Sequence, residues 1–136
     1  MKRLIPMFLA LTLMLTAVNF CSASANEDEI SPSWVTIVTC DATLRYNSKA
    51  KTGTATIEVT GDGSIVKLEA DVTLFHKVGN TWYEIEFWDY TTKGNSISKS
   101  ETFDAEAGES YKLVLDAKAY TSSSSEPASK VVTKTF

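Results

Sequence analysis

Residues 68–90 read LEADVTLFHKVGNTWYEIEFWDY. Two runs rich in Val, Leu, Ile and aromatic residues alternate with polar ones on either side of Gly79-Asn80, the pattern of a β-hairpin with a two-residue turn. In the first run Leu68, Ala70, Val72, Leu74, His76 and Val78 share one face by period two, and Glu69, Asp71, Thr73, Phe75 and Lys77 share the other. The first of these faces reads as core. In the second run strict alternation places Tyr83, Ile85 and Phe87 on one side and Trp82, Glu84, Glu86 and Trp88 on the other, with Tyr90 next on the tryptophan parity.

Outward from the hairpin, the chain reads as strands that cover it. Trp34 to Tyr46 is strand-like with broken alternation around Thr39 to Asp41, the mark of a bulge or of a switch between sheets. Asn47 to Thr52 is a polar turn. Thr54 to Thr60 alternates cleanly, with Ala55, Ile57 and Val59 on one face, and Gly61-Asp62-Gly63-Ser64 is a turn. Ser96 to Thr102 predicts a short strand near an edge. Ser110 to Tyr120 puts Tyr111, Leu113, Leu115, Ala117 and Ala119 on one face. Ser122 to Ser125 predicts a loop, Pro127 an end to pairing, and Val131 to Phe136 a last short strand. The tally is seven candidate strands, and no stretch of about 11 residues shows helical periodicity after the first 25. An all-β, seven-stranded antiparallel β-sandwich is the expected fold, with a small closed barrel as the alternative.

Residues 1–25 read as a signal peptide. Lys2 and Arg3 precede an apolar run from Leu4 to Val18, broken only by Pro6, Thr12 and Thr16, and Ala23-Ser24-Ala25 offers small residues for cleavage after Ala25 or after Ala23. The run is shorter than a membrane span needs. Residues 26–33, with Glu27, Asp28 and Glu29, read as an acidic arm, and residues 34–136 as the sandwich domain. Removing 25 of the 136 residues leaves 111, one domain with room for a core, and changes the net charge from −4 to −6 because Lys2 and Arg3 leave with the leader. So acidic a domain is expected to bind neither nucleic acid nor anionic lipid. It is expected to be secreted into the extracellular space and to have no membrane attachment once processed.

Cys21 leaves with the leader, so Cys40 remains alone and no internal disulfide can form. A lone strand cysteine reads as a small buried hydrophobe, with an intermolecular disulfide or a reactive thiol as the alternatives. The machinery of catalysis is sparse: one His and no metal-ligand spacing or Gly-rich phosphate loop, so the sequence predicts no enzyme, no cofactor and no metal. Asp62 reads as a turn residue bonding its own backbone rather than as a calcium ligand. His76 reads as a satisfied, partly buried histidine. Glu84 and Glu86, two apart on one strand and about 7 Å from each other, are a pair that sugar hydrolysis could use, and a chain this short leaves little to build a cleft around them.

The better candidate for contact with a ligand is the stripe of Trp82, Glu84, Glu86, Trp88 and Tyr90. Against it stands the reading, favoured because large aromatics are more often buried than displayed, that one or both indoles fold over the sheet edge as core. Aromatic side chains flanked by carboxylates suit a sugar ring or a protein partner. The expected function is therefore a non-catalytic interaction module for an unidentified protein or glycan, itself a monomer. A carbohydrate-binding module and, behind it, a small hydrolase are the rivals.

Two stretches resemble known families. Ala107 to Ala117, AGESYKLVLDA, resembles the sixth strand of fibronectin type III domains, which implies that Tyr111 is a corner tyrosine whose hydroxyl bonds the chain just upstream. Val72 to Trp88, with Trp82, Ile85 and Trp88 at intervals of three, is similar to a hairpin of small secreted Gram-positive bacterial proteins. These form a family of unknown function with an immunoglobulin-like or fibronectin type III-like sandwich, so the likeness implies a fold and an exported address.

Overall fold

A computed structural model describes residues 34–136. The leader, its candidate cleavage points Ala23 and Ala25, and the acidic arm lie outside the described residues. Seven strands follow in order: β1 (Ile37–Asn47), β2 (Thr52–Gly61), β3 (Lys67–Val78), β4 (Thr81–Thr92), β5 (Ser96–Asp104), β6 (Ser110–Tyr120) and β7 (Ser125–Thr135). They form two antiparallel sheets, β1-β2-β5 and β4-β3-β6-β7, packed as a sandwich.

Period-two patterning decides which side chains meet between the sheets. Leu68, Ala70, Val72 and Leu74 of β3 and Tyr111, Leu113, Leu115, Ala117 and Ala119 of β6 are buried from one sheet, and Ala55, Ile57 and Val59 of β2 from the other. No polar or charged side chain is buried among the described residues. Each large aliphatic group fully removed from water contributes about 1.5 to 3 kcal/mol. Cys40 lies in this core, and burial first, with the Asp41 carboxylate second, pushes its thiol pKa up to about 11. It is the small hydrophobe that the sequence implied.

The hairpin between β3 and β4 closes through Gly79-Asn80, with Val78 opposite Thr81. Gly79 takes φ 63°, a conformation that L side chains rarely adopt and that the first central position of this turn requires. Asp62 accepts a hydrogen bond from the Ser64 amide at 2.8 Å, the local turn bond expected of it. At one end of the sandwich the Tyr111 hydroxyl accepts from the Glu106 amide at 3.1 Å, just upstream, as the resemblance implied. The Tyr111 ring meets Phe136 with centroids 5.1 Å apart and Phe103 at 5.3 Å, so the last residue of the chain is held by aromatic contact.

Three departures from the expected strands have physical causes. The break in β1 falls at Val38 rather than at Thr39 to Asp41: Ile37 faces Gly61 and Thr39 faces Thr60, leaving Val38 as the extra, exposed residue. β7 begins at Ser125, well before Val131, and Pro127 lies within it opposite Lys118. An edge strand has a side with no ladder to break, so a proline costs little there. Residues 34–36 do not join β1. The Glu126 carboxylate of β7 holds them instead, accepting from the amides of Val35 at 2.6 Å, Thr36 at 2.7 Å and Ile37 at 3.1 Å and from the Thr36 hydroxyl.

Those bonds, the Thr36 hydroxyl foremost and then the three amides, lower the Glu126 pKa from 4.5 to about 2. Being depressed on folding, it adds stability that is fully present above the ordinary value of 4.5 and is lost as pH falls toward 2. Thermal melts of wild type and Glu126→Gln should differ most at neutral pH, and the gap should close on acidification to about 2. Gly53 lies under the Phe103 ring, where an added Cβ would fall 2.2 Å from Cζ. Gly53→Ala should therefore cost about 1 to 3 kcal/mol in urea titration.

Candidate functional site

Strand β4 does not keep one parity along its length. Leu74 pairs with Glu86 and its neighbour Phe75 pairs with Glu84, so Ile85 is an extra residue, a bulge, and side chains on either side of it change faces. Residues paired directly across a ladder project to the same face. Trp82 and Glu84 therefore lie with Lys77 and Phe75 on the outer face of the sheet. Glu86, Trp88 and Tyr90 lie opposite Leu74, Val72 and Ala70, on the side facing β1-β2-β5. The expected single stripe of Trp82, Glu84, Glu86, Trp88 and Tyr90 is thus two groups on two faces.

The inward group closes the open side of the sandwich. Trp88 and Tyr90 are half-buried against the core. The Tyr90 hydroxyl donates to Glu101 Oε1 of β5 at 2.7 Å, joining the two sheets, and Lys99 Nζ sits 5.5 Å from the ring centroid. Burial, and then the Glu101 carboxylate, push the Tyr90 pKa well up. Glu84 and Glu86 point to opposite faces and cannot act on one bond.

The outward group belongs to a patch spread over all four strands. Phe87 of β4, Thr73 of β3, Val114 of β6 and Val131 of β7 stand in one row across the sheet. Phe87 is 53% and Val131 55% exposed, so this row meets solvent. In the next row Phe75 stands beside Lys112, and beyond it Trp82 stands beside Lys77. Lys112 Nζ lies 4.7 Å from the ring centroids of both Phe75 and Trp82, and Lys77 Nζ lies 5.7 Å from Trp82. Such contacts hold the two rings in place while their outer edges stay wet. On the opposite side of the apolar row, Asp89, Asp71 and Asp116 form an acidic row, with Ser129 donating to Asp116 Oδ1 at 2.8 Å.

Sequence reasoning reached Trp82 and Glu84 but missed Phe87, Phe75, Lys112, Val114 and Val131. Phe75 and Val114 carried a usable signal, as large apolar residues on the polar parity of strands whose other parity is core. Phe87 carried none, because strict alternation places it inside.

A cleft of about 540 Å³ opens at one end of the sandwich, lined among others by Lys51, His76, Ile85, Asp104 and Glu106. His76 is half-buried, stacks on Tyr111 with centroids 4.9 Å apart, and joins Glu109 Oε2 through Nε2 at 2.7 Å. It is the satisfied histidine that the sequence implied. Among the described residues no three His, Cys, Asp or Glu side chains are grouped to hold a metal ion.

No protein-family model matches the chain, so kinship with the secreted Gram-positive family rests on the hairpin resemblance alone. No curated protein matches it either. Among solved structures it is similar to part of the Parabacteroides merdae beta-glucuronidase, determined with glycerol in its active site. The TM-score is 0.43 and the identity 10%, over 70% of this chain; the chain spans 13% of that protein's length.

The neighbouring aromatics of β4 should respond differently to truncation. Trp88→Ala should cost about 2 kcal/mol or more in urea titration, because it removes packing against the core. Phe87→Ala should stay within about 0.5 kcal/mol.

Proposed function

We propose that this chain is an exported, non-catalytic interaction module that presents the outer face of β4-β3-β6-β7 to its surroundings. The reading is carried by the row of Phe87, Thr73, Val114 and Val131 beside Phe75 and Trp82, an apolar and aromatic surface turned to solvent on a sheet whose other face already fills the core. Monomeric proteins rarely display such surfaces without use. Its centre is aromatic and aliphatic and its flanks are charged, the anatomy of a contact region. The module type proposed is fibronectin type III-like: a three-strand and a four-strand sheet, with β4 beside β3 and a corner tyrosine in β6. Export is supported by the basic start, apolar run and small residues of the first 25 positions.

A carbohydrate ligand is the second reading. Trp82 and Phe87 stand on one face about 13 Å apart along the strand, with the Glu84 carboxylate between them in register. Aromatic faces with an adjacent acceptor suit the apolar faces and hydroxyls of sugars.

The test is isotope-edited NMR of the protein titrated with a panel of oligosaccharides and with extracellular protein fractions. Amide shifts clustered on Phe75, Trp82, Phe87 and Val114, lost on combining Trp82→Ala with Phe87→Ala, are the expected result. Shifts clustered on the His76 cleft, or on the outer face of β1-β2-β5, would overturn the assignment of the face.

A further inference from the structure

Lys112 and Lys77 lie on one side of the apolar row of this face and Asp116 and Glu69 on the other, while Glu84 lies on the lysine side and Lys118 and Lys67 on the carboxylate side. On β6, Lys112 lies one row to one side of Val114 and Asp116 one row to the other; on β3, Lys77 and Glu69 lie two rows to either side of Thr73. The carboxylates are held in place, Glu69 by Lys67 and the Tyr120 hydroxyl, both at 2.7 Å, and Asp116 by Ser129. We infer that the occupant of this face is a second copy of the same chain, related by a two-fold axis that runs along the Phe87, Thr73, Val114 and Val131 row. The inference rests on the reading of this face as the contact surface, and it replaces the monomer expected from the sequence.

Under that axis the apolar row packs on its own copy, and each strand crosses its counterpart in the opposite direction. Lys112 then faces the Asp116 of the second copy, and Lys77 faces its Glu69, each pair occurring twice. Glu84 and Asp89 face each other only on the outermost strand, where water and salt screen them. A two-fold parallel to the strands instead sets the Asp89, Asp71 and Asp116 row on itself, a repulsion in the row next to the centre, and offsets it only with the outer row, where Glu69 meets Lys118. One geometry is therefore favoured over the other by charge.

The area suffices. Strands of 12 residues such as β3, four abreast, cover roughly 700 Å², close to the ~800 Å² per partner that specific complexes bury. Sheets stacked face to face lie about 10 Å apart and cross at about 30°. Phe87, Val114 and Val131 supply the apolar row on the axis; one row out Lys112 faces Asp116 and Phe75 faces Asp71 of the second copy, and Trp82 lies at the margin on β4.

Sedimentation equilibrium of the intact protein over about a hundredfold range of concentration tests the inference, with circular dichroism as a check of folding. Wild type should show a reversible monomer and dimer. Lys112→Glu alone, or Asp116→Lys alone, should weaken the dimer about tenfold or more, since each sets like charges together twice. An equimolar mixture of the two variants should recover a heterodimer, because the carboxylate introduced at position 112 of one copy then meets the ammonium introduced at position 116 of the other. A monomer at all concentrations, single variants that dimerise as wild type does, or a mixture that fails to recover would overturn the inference. If the protein stays monomeric while oligosaccharides shift the Trp82 and Phe87 signals, the dimer falls and the contact surface stands. Shifts confined to other surfaces would remove both.

Discussion

Strand β3 is hydrogen-bonded on both sides, and its inward side chains cannot be moved. Leu68, Ala70 and Leu74 are 0% and Val72 2% exposed. A slip of one residue would send all four to water and bring Glu69, Asp71 and Thr73 into the core. The loss of aliphatic burial alone, at about 1.5 to 3 kcal/mol for each large side chain, is comparable with the whole stability of a small domain, about 5 to 15 kcal/mol. The register of β6 follows, since Leu113 and Leu115 must pack at the same depth. The register of β4 follows less strictly. As an edge strand it is free to absorb an additional residue, and it does so at Ile85.

That difference between a central strand and an edge strand also marks what could be read from the sequence. Wherever one face had to be buried, alternation revealed it: β2, β6 and β3 as far as Leu74 are as their patterns predict, and so is the Tyr111 tie, whereas Val78, expected on the core face, is exposed beside the turn. Wherever the chain lies at an edge, the rules that constrain it are weaker. The bulge at Ile85 leaves no mark in the sequence, because Ile85 between Glu84 and Glu86 continues an unbroken alternation of polar and apolar residues; a single undetected insertion was enough to reverse the faces of Phe87, Trp88 and Tyr90. Pro127 reads as a terminator only if its strand must pair on both sides, which β7 does not. The clamp on Val35 to Ile37 was illegible for another reason, since its carboxylate comes from a residue about 90 positions away. Of the candidate surface only Trp82 and Glu84 were legible, for the same causes: they lie on the turn side of the bulge, where parity counted from the hairpin still holds.

The contact surface thus arises from the irregularity rather than in spite of it. Without the additional residue, Phe87 would join Val72 and Leu74 on the inner side, and Trp88 and Tyr90 would stand outside with Trp82. With it, the indole that packs best closes the gap between the sheets beside the bond from Tyr90 to Glu101, and a phenyl ring is delivered to the exposed row with Val114 and Val131. Lys112 completes the arrangement by lying against Phe75 and Trp82, so the rings are oriented before any partner arrives. Side chains already fixed lose less entropy on contact than free ones.

Cys40 occupies the interior as a small filler, with its thiol kept protonated by the surrounding aliphatic groups. Residues 34–136 contain no second cysteine, so the sandwich owes nothing to oxidation. It assembles alike in the reducing interior of a cell and in air, and material produced in a bacterial cytoplasm needs neither oxidative refolding nor an isomerase to reach the same state.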